Sequence, residues 1–336
     1  MGLPNPTASE TQRVRLALER CCCPLICSHV RLDGDAVGSE LGLLHILRAL
    51  GKSPCVVNED VVPHTFRFLP SCDEIACGAD EVGPGHDLVV VVDAPHFGRL
   101  GALPRKFPPG VTRLNIDHHA SNERYLDINW VDARYSSAGE MLLELAETAN
   151  WPIPPSAATC LYVALITDTN RFTLPHTTSE SLNAAARLVQ RGARHVEVAE
   201  KLYYGESFGL MKLKGLTLAT LRLALDGRVA TARVTLDMFC ATGTNALDTH
   251  EFAELPRMVG GAVIGVLLRE MSGGKVKVSL RCRKGYEVES VARKFGGGGH
   301  PEAAGCVVDG TLDEVEGKVL AELARTLKAT GTHADG

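Results

Sequence analysis

Apolar runs and helical spacings alternate through the first two-thirds of the chain. Pro24–His29 reads as a short buried strand. Val37–Leu50 follows, with Val37, Leu41, Leu44 and Leu47 at helical spacing and Gly51 as a stop. Ser53–Asn58 reads as a second strand. Asp87–Asp93 holds four consecutive valines, as in a strand covered on both faces. Thr112–Asp117 is a further strand, and Gly139–Ala149, Ser156–Thr167 and Ser179–Arg191 read as helices. This β/α alternation predicts an α/β fold, a doubly wound and mainly parallel sheet, over residues 1–194.

The pattern then changes. Residues 195–223 have helical character and no strand signal, which predicts a helical linker. Gly227–Leu236, Ala262–Met271 and Lys275–Arg281 read as strands, the last two joined into a hairpin by Ser272-Gly273-Gly274. Helices are expected near Asp248–Met258, Glu287–Phe295 and Leu312–Ala329, so residues 224–330 form a smaller α+β domain. Thr330–Gly336 reads as a frayed tail.

Composition narrows the chemistry. The 336 residues are 45% apolar and 22% charged, enough to bury two cores. Thirty-five basic residues face 40 acidic ones, for a net charge of −5, and no basic stripe is visible. A phosphate-bearing substrate is then small and recognised locally, because a protein that tracks long nucleic acid needs such a stripe. Aromatic residues, at 5%, are too sparse for a surface built on base stacking. The 11 cysteines form no regular framework, which places the chain in a reducing cytoplasm with free thiols. Met1 to Arg20 has no apolar core of a signal peptide, and no long apolar run predicts a membrane span.

In open parallel sheets, function collects at the carboxyl ends of strands. Three such ends carry acids or histidines. The first runs His29-Val30-Arg31-Leu32-Asp33-Gly34-Asp35 into a helix, the valine strand stops at Asp93, and the next ends Asp117-His118-His119. Asp168 closes an apolar helix in Thr167-Asp168-Thr169. Each alone is ordinary: an Asp before a helix is usually a cap, and an Asp after a strand a turn former. Together they would repel one another unless something positive sat among them, and no lysine or arginine cluster lies in these motifs. Metal ions would serve. A set of imidazole and carboxylate without thiolate suits manganese or magnesium, and there are more ligands than one ion needs. Two ions point to phosphoester hydrolysis.

The second domain adds Gly296-Gly297-Gly298-Gly299-His300 before Pro301-Glu302-Ala303-Ala304-Gly305. A bare glycine run is usually a flexible loop. Closed by a histidine, this one reads as a place where backbone approaches a ligand, since main-chain N–H groups can bind anions. Arg281, on the neighbouring strand, is a candidate phosphate partner or a solvated arginine.

These motifs resemble, in order and over nearly the whole chain, those of the DHH/DHHA1 phosphoesterases. His29-x3-Asp33-Gly34-Asp35-Ala-Val-Gly-Ser matches the first, Val91-Val92-Asp93 the second, Asp117-His118-His119 the third, Thr167-Asp168-Thr169 the fourth, and Gly296–Gly305 the DHHA1 loop. Size and layout are most similar to the bifunctional oligoribonuclease/pAp-phosphatase, NrnA-like branch. The resemblance implies two divalent cations, Mn2+ or Mg2+. One is held by His29, Asp33 and Asp93, the other by Asp35, Asp93, His118 and Asp168. It also implies that Asp117 orients the site and His119 faces the phosphate. Gly297, Gly298, Gly299, His300 and Arg281 then hold the far end of the substrate. Expected substrates are short RNA oligonucleotides, released as 5′-mononucleotides, and pAp. The alternative is a phosphodiesterase for cyclic or linear dinucleotides such as c-di-AMP, pApA and pGpG. No membrane partner is expected, and a homodimer is open to it. Two positions depart from the family pattern: Leu32 stands where proline is usual, and Asn170 where glycine is.

Overall fold

The computed structural model describes residues 9–330, Lys284 excepted. Beyond residue 330, the expected frayed tail lies outside the described residues. The chain divides in sequence between Gly205 and Glu206 into two compact units.

The first unit comprises α1 (Glu10–Arg20), β1 (Pro24–Cys27), α2 (Gly34–Ala49), β2 (Cys55–Asn58), β3 (Ala76–Cys77), β4 (Leu88–Val92), β5 (Thr112–Asp117), β6 (Ile128–Val131), α3 (Ala138–Thr148), α4 (Pro155–Asp168), α5 (Ser179–Gln190) and α6 (His195–Tyr203). The expected parallel sheet is present, with strand order β3-β2-β1-β4-β5-β6. Its valine strand is buried on both faces. Val90 and Val92 pack with Leu114, Met141 and Leu165, while Val89 and Val91 pack with Leu25, Val57 and Leu100. From β1 the chain winds outward to β3 and returns at β4. The order therefore reverses between β1 and β4, and a crevice opens at the carboxyl ends of these two strands. Three elements escaped the sequence pattern. Strands β3 and β6 are short edges of two and four residues, and α1 buries only Val14 and Leu18.

The second unit comprises α7 (Phe208–Ala219), β7 (Arg222–Ala224), β8 (Val229–Val234), α8 (Leu236–Thr242), a 3-10 stretch Ala246–Ala253, α9 (Glu254–Arg257), β9 (Ile264–Met271), β10 (Lys275–Cys282), α10 (Glu289–Lys294), β11 (Gly298–His300), β12 (Ala303–Asp309) and α11 (Leu312–Thr330). Among the described residues its mixed sheet has the order β11-β12-β10-β9-β8-β7, with β8 and β9 parallel and the other neighbours antiparallel. The expected hairpin pairs Lys275 with Met271 through Cys282 with Ile264. Val276, Val278 and Leu280 face α10 and α11, and Leu267 on β9 faces the layer of Leu213, Phe239 and Phe252. The segment read as wholly helical between 195 and 223 holds α6 and α7, and at its end Arg222 and Leu223 begin β7. Both of these residues are exposed, which removed the apolar signal of a strand.

Helices α2 and α4 cross at Gly38. A Cβ there would stand 2.5 Å from the Cys160 carbonyl oxygen and 2.7 Å from the Ala164 nitrogen. Both obstacles are backbone, so neither rotates away. Gly38→Ala gains about 1 kcal/mol of helix propensity but overpacks at a cost of about 1–3 kcal/mol. The expected outcome is a lower urea midpoint for the first unit, followed by circular dichroism. A raised midpoint would show that the two helices separate freely.

Candidate active site

The crevice at the strand reversal gathers the polar motifs. His29 follows β1, Asp93 follows β4, Asp117 ends β5 with His118 and His119 next, and Asp168 ends α4. Asp33 is the N-cap of α2, its Oδ1 accepting from the Ala36 amide at 3.0 Å. Its other oxygen, Oδ2, stands 3.5 Å from His29 Nε2, so the cap also belongs to the cluster. Asp35 lies in the first turn of α2 and is 1% exposed. It accepts from Ser39 Oγ at 2.9 Å and from the Ala138 and Gly139 amides at 2.7 and 3.1 Å. Those amides open α3, so the positive end of a helix meets this buried carboxylate.

Asp93 lies between two sets of ligands. Its Oδ2 is 3.3 Å from His29 Nε2, and its Oδ1 is 3.5 Å from His118 Nε2. His118 Nε2 is also 3.6 Å from Asp35 and 3.5 Å from Asp168. Asp93 reaches this position with φ 55°, a left-handed conformation that costs a non-glycine residue about 1–2 kcal/mol.

The cluster fits cations. His118 Nε2 and Asp93 Oδ1 are buried without a hydrogen-bond partner. The 3.3–3.6 Å separations are too long for good hydrogen bonds. They are near the ~3 Å edge spanned by oxygens about 2.1 Å from one ion. His29, Asp33 and Asp93 form one group able to hold a metal ion, and Asp35, His118 and Asp168 another. A third grouping joins Asp93 and His118 to Asp117 and His119.

The charges respond to this crowding. Burial would lower the pKa of His29, but hydrogen bonds and charge from Asp33 and Asp93 carry it to about 10. Burial likewise opposes the rise at His118, where Asp93, Asp35 and Asp168 prevail and the pKa is about 10. Burial and then Asp93 push Asp35 well above the carboxylate range. Burial first, with Asp93 adding, carries Asp168 to about 6.

Asp117 is fully buried and accepts from His119 Nδ1 at 2.8 Å, the His119 amide at 3.2 Å and Asn122 Nδ2 at 2.5 Å. Burial would raise its pKa, but the hydrogen bonds from His119 and Asn122 hold it below the usual range. The bond to Asp117 is also the main reason that the His119 pKa is raised. With Nδ1 committed to Asp117, the half-exposed His119 ring keeps Nε2 for other partners.

Several residues of this site had no sequence signal. Asn122 braces Asp117. Arg99 Nη2 lies 2.9 Å from His29 Nδ1, which is also 2.9 Å from the Val30 carbonyl. A cation on Nε2 requires the tautomer with a proton on Nδ1, which donates to Val30 and leaves Arg99 no acceptor there. Glu40 is wholly buried, accepts from Asn58 at 2.8 Å, and has its pKa raised to about 8 by burial.

The two departures from the family pattern are absorbed locally. Leu32 is buried with Val37, Leu41 and Val62, so packing fixes the loop where proline would fix φ. Asn170 adopts φ 43°, followed by Arg171 and Phe172, both at 62°. Phe172 packs on the core, and Arg171 lies over the Tyr203 ring at 4.9 Å.

The remaining candidates lie in the second unit. The glycine run is an edge strand there rather than a loop: β11 pairs Gly298 with Gly305 and His300 with Ala303. Added Cβ atoms would meet the Gly305 oxygen at 2.1 Å from Gly297 and the Ala303 oxygen at 2.4 Å from Gly299. Strand β12 thus supplies a reason for both glycines, whereas Gly298 faces open space. Arg281 also pairs with Ala303, which puts His300, Ala303 and Arg281 in one cross-strand row. Arg281 Nε donates to Glu254 Oε1 at 3.0 Å.

Comparison with known proteins agrees with this architecture. The chain belongs to the DHH family: residues 25–165 match the DHH family N-terminal domain, and residues 226–329 match the DHHA1 domain. It is 33% identical, over 91% of this chain and 90% of the relative, to the bifunctional oligoribonuclease and PAP phosphatase NrnA of Thermus thermophilus. Identity to the protein of the same name from Bacillus subtilis is 31%, over 89% and 93%. An exopolyphosphatase-related protein from Bacteroides fragilis shares the fold with a TM-score of 0.81 at 24% identity, over 96% of this chain and 99% of that one.

Below pH about 10 the His29 and His118 imidazoles hold protons, which a cation bound at their Nε2 atoms would have to displace. Cation binding at these histidines would then release protons, with affinity expected to rise as the pH climbs from about 6 to 9. Calorimetric titration with Mn2+ in buffers of different ionisation enthalpy should register release of at least about one proton. Affinity unchanged across that window would mean that neither histidine is a ligand.

Proposed function

We propose that this chain is a two-metal phosphoesterase that hydrolyses short oligoribonucleotides to 5′-mononucleotides and converts pAp to AMP. The observation that carries this reading is Asp93, whose two oxygens face separate imidazole–carboxylate groups. His29, Asp33 and Asp93 would hold one cation, and Asp35, Asp93, His118 and Asp168 the other. The absence of thiolate from this set favours Mn2+ or Mg2+. When bound, the cations supply Lewis acidity and an activated water. Asp117 fixes the His119 ring, and His119 Nε2 is the nitrogen left to donate a hydrogen bond or proton to the phosphoryl group. His300 and Arg281 contact the part of the substrate remote from the scissile bond. The names of the relatives matched along most of their length support the oligoribonuclease and pAp phosphatase activities over a dinucleotide specialist. Eleven free cysteines support a cytoplasmic setting, and among the described residues no helix is long and apolar enough to cross a membrane.

Chelation should abolish turnover, and Mn2+ should restore it better than the larger, loosely coordinated Ca2+. Asp93→Asn should be the most damaging single change, since it weakens both cation positions. Retention of more than about a tenth of wild-type turnover, a loss under ~1.4 kcal/mol, would refute the bridging assignment.

His300→Ala and Arg281→Ala should each lose at least roughly tenfold in kcat/KM on pApA. Much less should be lost on bis(p-nitrophenyl) phosphate, which has no remote part to bind. Equal losses of His300→Ala on both substrates, in protein shown by circular dichroism to be folded, would place His300 in the catalytic centre or the fold instead.

A further inference from the structure

Beyond Arg281, the same face of the second sheet forms a cavity of about 330 Å³. Arg269, Lys277, Ser279 and Arg281 line it from the strands, and Leu247 and Thr249 from the 3-10 stretch. Alternation along β10 explains the lining: Val276, Val278 and Leu280 enter the core, so Lys277, Ser279 and Arg281 turn to the other face. The chain as a whole is acidic, yet this cavity holds three cations.

Two of those cations are placed at a cost. Lys277 and Arg269 are direct cross-strand partners, and like charges in that relation repel. Arg281 has Glu254 as a counterion, at 3.0 Å. Among the described residues neither Lys277 nor Arg269 has a carboxylate partner. Arg269 donates only to neutral acceptors, the Ala246 carbonyl at 2.6 Å and Thr249 Oγ1 at 2.8 Å. Its Nε is buried with no partner at all. The cavity is therefore lined by two cations without a carboxylate, with the Ser279 hydroxyl on the same face, and a phosphate is the anion that such a set of donors suits. The exposed Leu247 and the buried Leu267 add apolar wall beside it.

We propose that Arg269, Lys277 and Ser279 form a second phosphate subsite, which takes a backbone phosphate of the oligonucleotide beyond the part met by Arg281. This rests on the reading of the chain as a short-oligonucleotide hydrolase. Lys277 is four residues from Arg281 along β10, about 14 Å at the rise of an antiparallel strand. Only a substrate with further phosphodiesters reaches it, so the subsite favours oligomers of several nucleotides over pAp. The same chemistry would also accept free orthophosphate, and the test separates the two sources.

The manganese-loaded full chain is titrated with a labelled, hydrolysis-resistant phosphorothioate 5-mer between about 50 and 200 mM KCl. Lys277→Ala should bind it roughly five- to tenfold more weakly, and the slope of log K against log salt should shrink by about 0.7, one phosphate contact to a single strand. Arg269→Gln should act in the same direction, with its melting temperature checked because it also ties down the 3-10 stretch. Lys318→Ala, on the exposed face of α11, removes the same charge elsewhere and should change neither quantity. In turnover, the kcat/KM loss of Lys277→Ala should be at least about fivefold larger on a 5-mer than on pAp. If Lys277→Ala matches Lys318→Ala in affinity and slope while wild type cuts the 5-mer, the subsite is refuted and the enzymatic reading stands. If 5-mer binding depends on Lys277 but wild type cuts no RNA, the subsite stands and the enzymatic reading falls. Orthophosphate binding that depends on Lys277, with 5-mer binding indifferent to it, would refute the strand assignment in favour of a free-anion site.

Discussion

Four carboxylates that must share one small volume set the terms for the first unit. Two unit charges 4 Å apart at an effective dielectric near 20 repel by about 4 kcal/mol, so Asp33, Asp35, Asp93 and Asp168 would separate if the chain let them. The fold denies them that freedom by fixing them on three rigid ends, the start of α2 and the ends of β4 and α4. Asp33 and Asp35 are tied by amides at the starts of α2 and α3. Asp93 is pinned by a strand and a strained φ. Asp168 alone sits at a helix carboxyl end, where the dipole adds to the repulsion.

The same crowding explains why strain collects here. Asp93 and the run Asn170–Phe172 account for four left-handed, non-glycine residues around one crevice. Such conformations persist only where surroundings over-determine them. For Asp93 the determinant is the hydrogen bond that its backbone N–H donates to the Ile116 carbonyl at 3.0 Å. For the second run it is the burial of Phe172 and the return of His176, whose Nε2 contacts the Asp168 carbonyl at 3.1 Å. A more relaxed backbone in either place would move a carboxylate out of reach of its imidazole.

What was legible in the sequence follows from the range of each interaction. Strands covered on both faces, such as Leu88–Val92, and helices with an apolar stripe announce themselves within a few residues. So do the acids at strand ends, because the chain itself turns there. Arg99 beside His29 is a contact across 70 residues with no local pattern. Asp33 shows a limit of a different kind: cap and cluster member are not rival readings, since one oxygen serves each. The glycine run carries no local sign of its pairing: for Gly297 and Gly299 the backbone that comes close is that of their own hairpin partner, β12.

Net charge is the coarsest of these signals. A balance of −5 argues against a long basic track, and it says nothing of charge sorted by a period of two. Along Lys275–Cys282 the valines and leucine are drawn into the core, and every remaining position must face outward together. Hydrophobic burial thereby concentrates Lys277 and Arg281 on one face, and pairing with β9 adds Arg269. The core of the second unit and its basic row are consequences of one alternation. A slip of one residue in the β10 register would bury the cations and expose the valines. That coupling allows a chain of net charge −5 to keep a local, geometrically fixed row of cations.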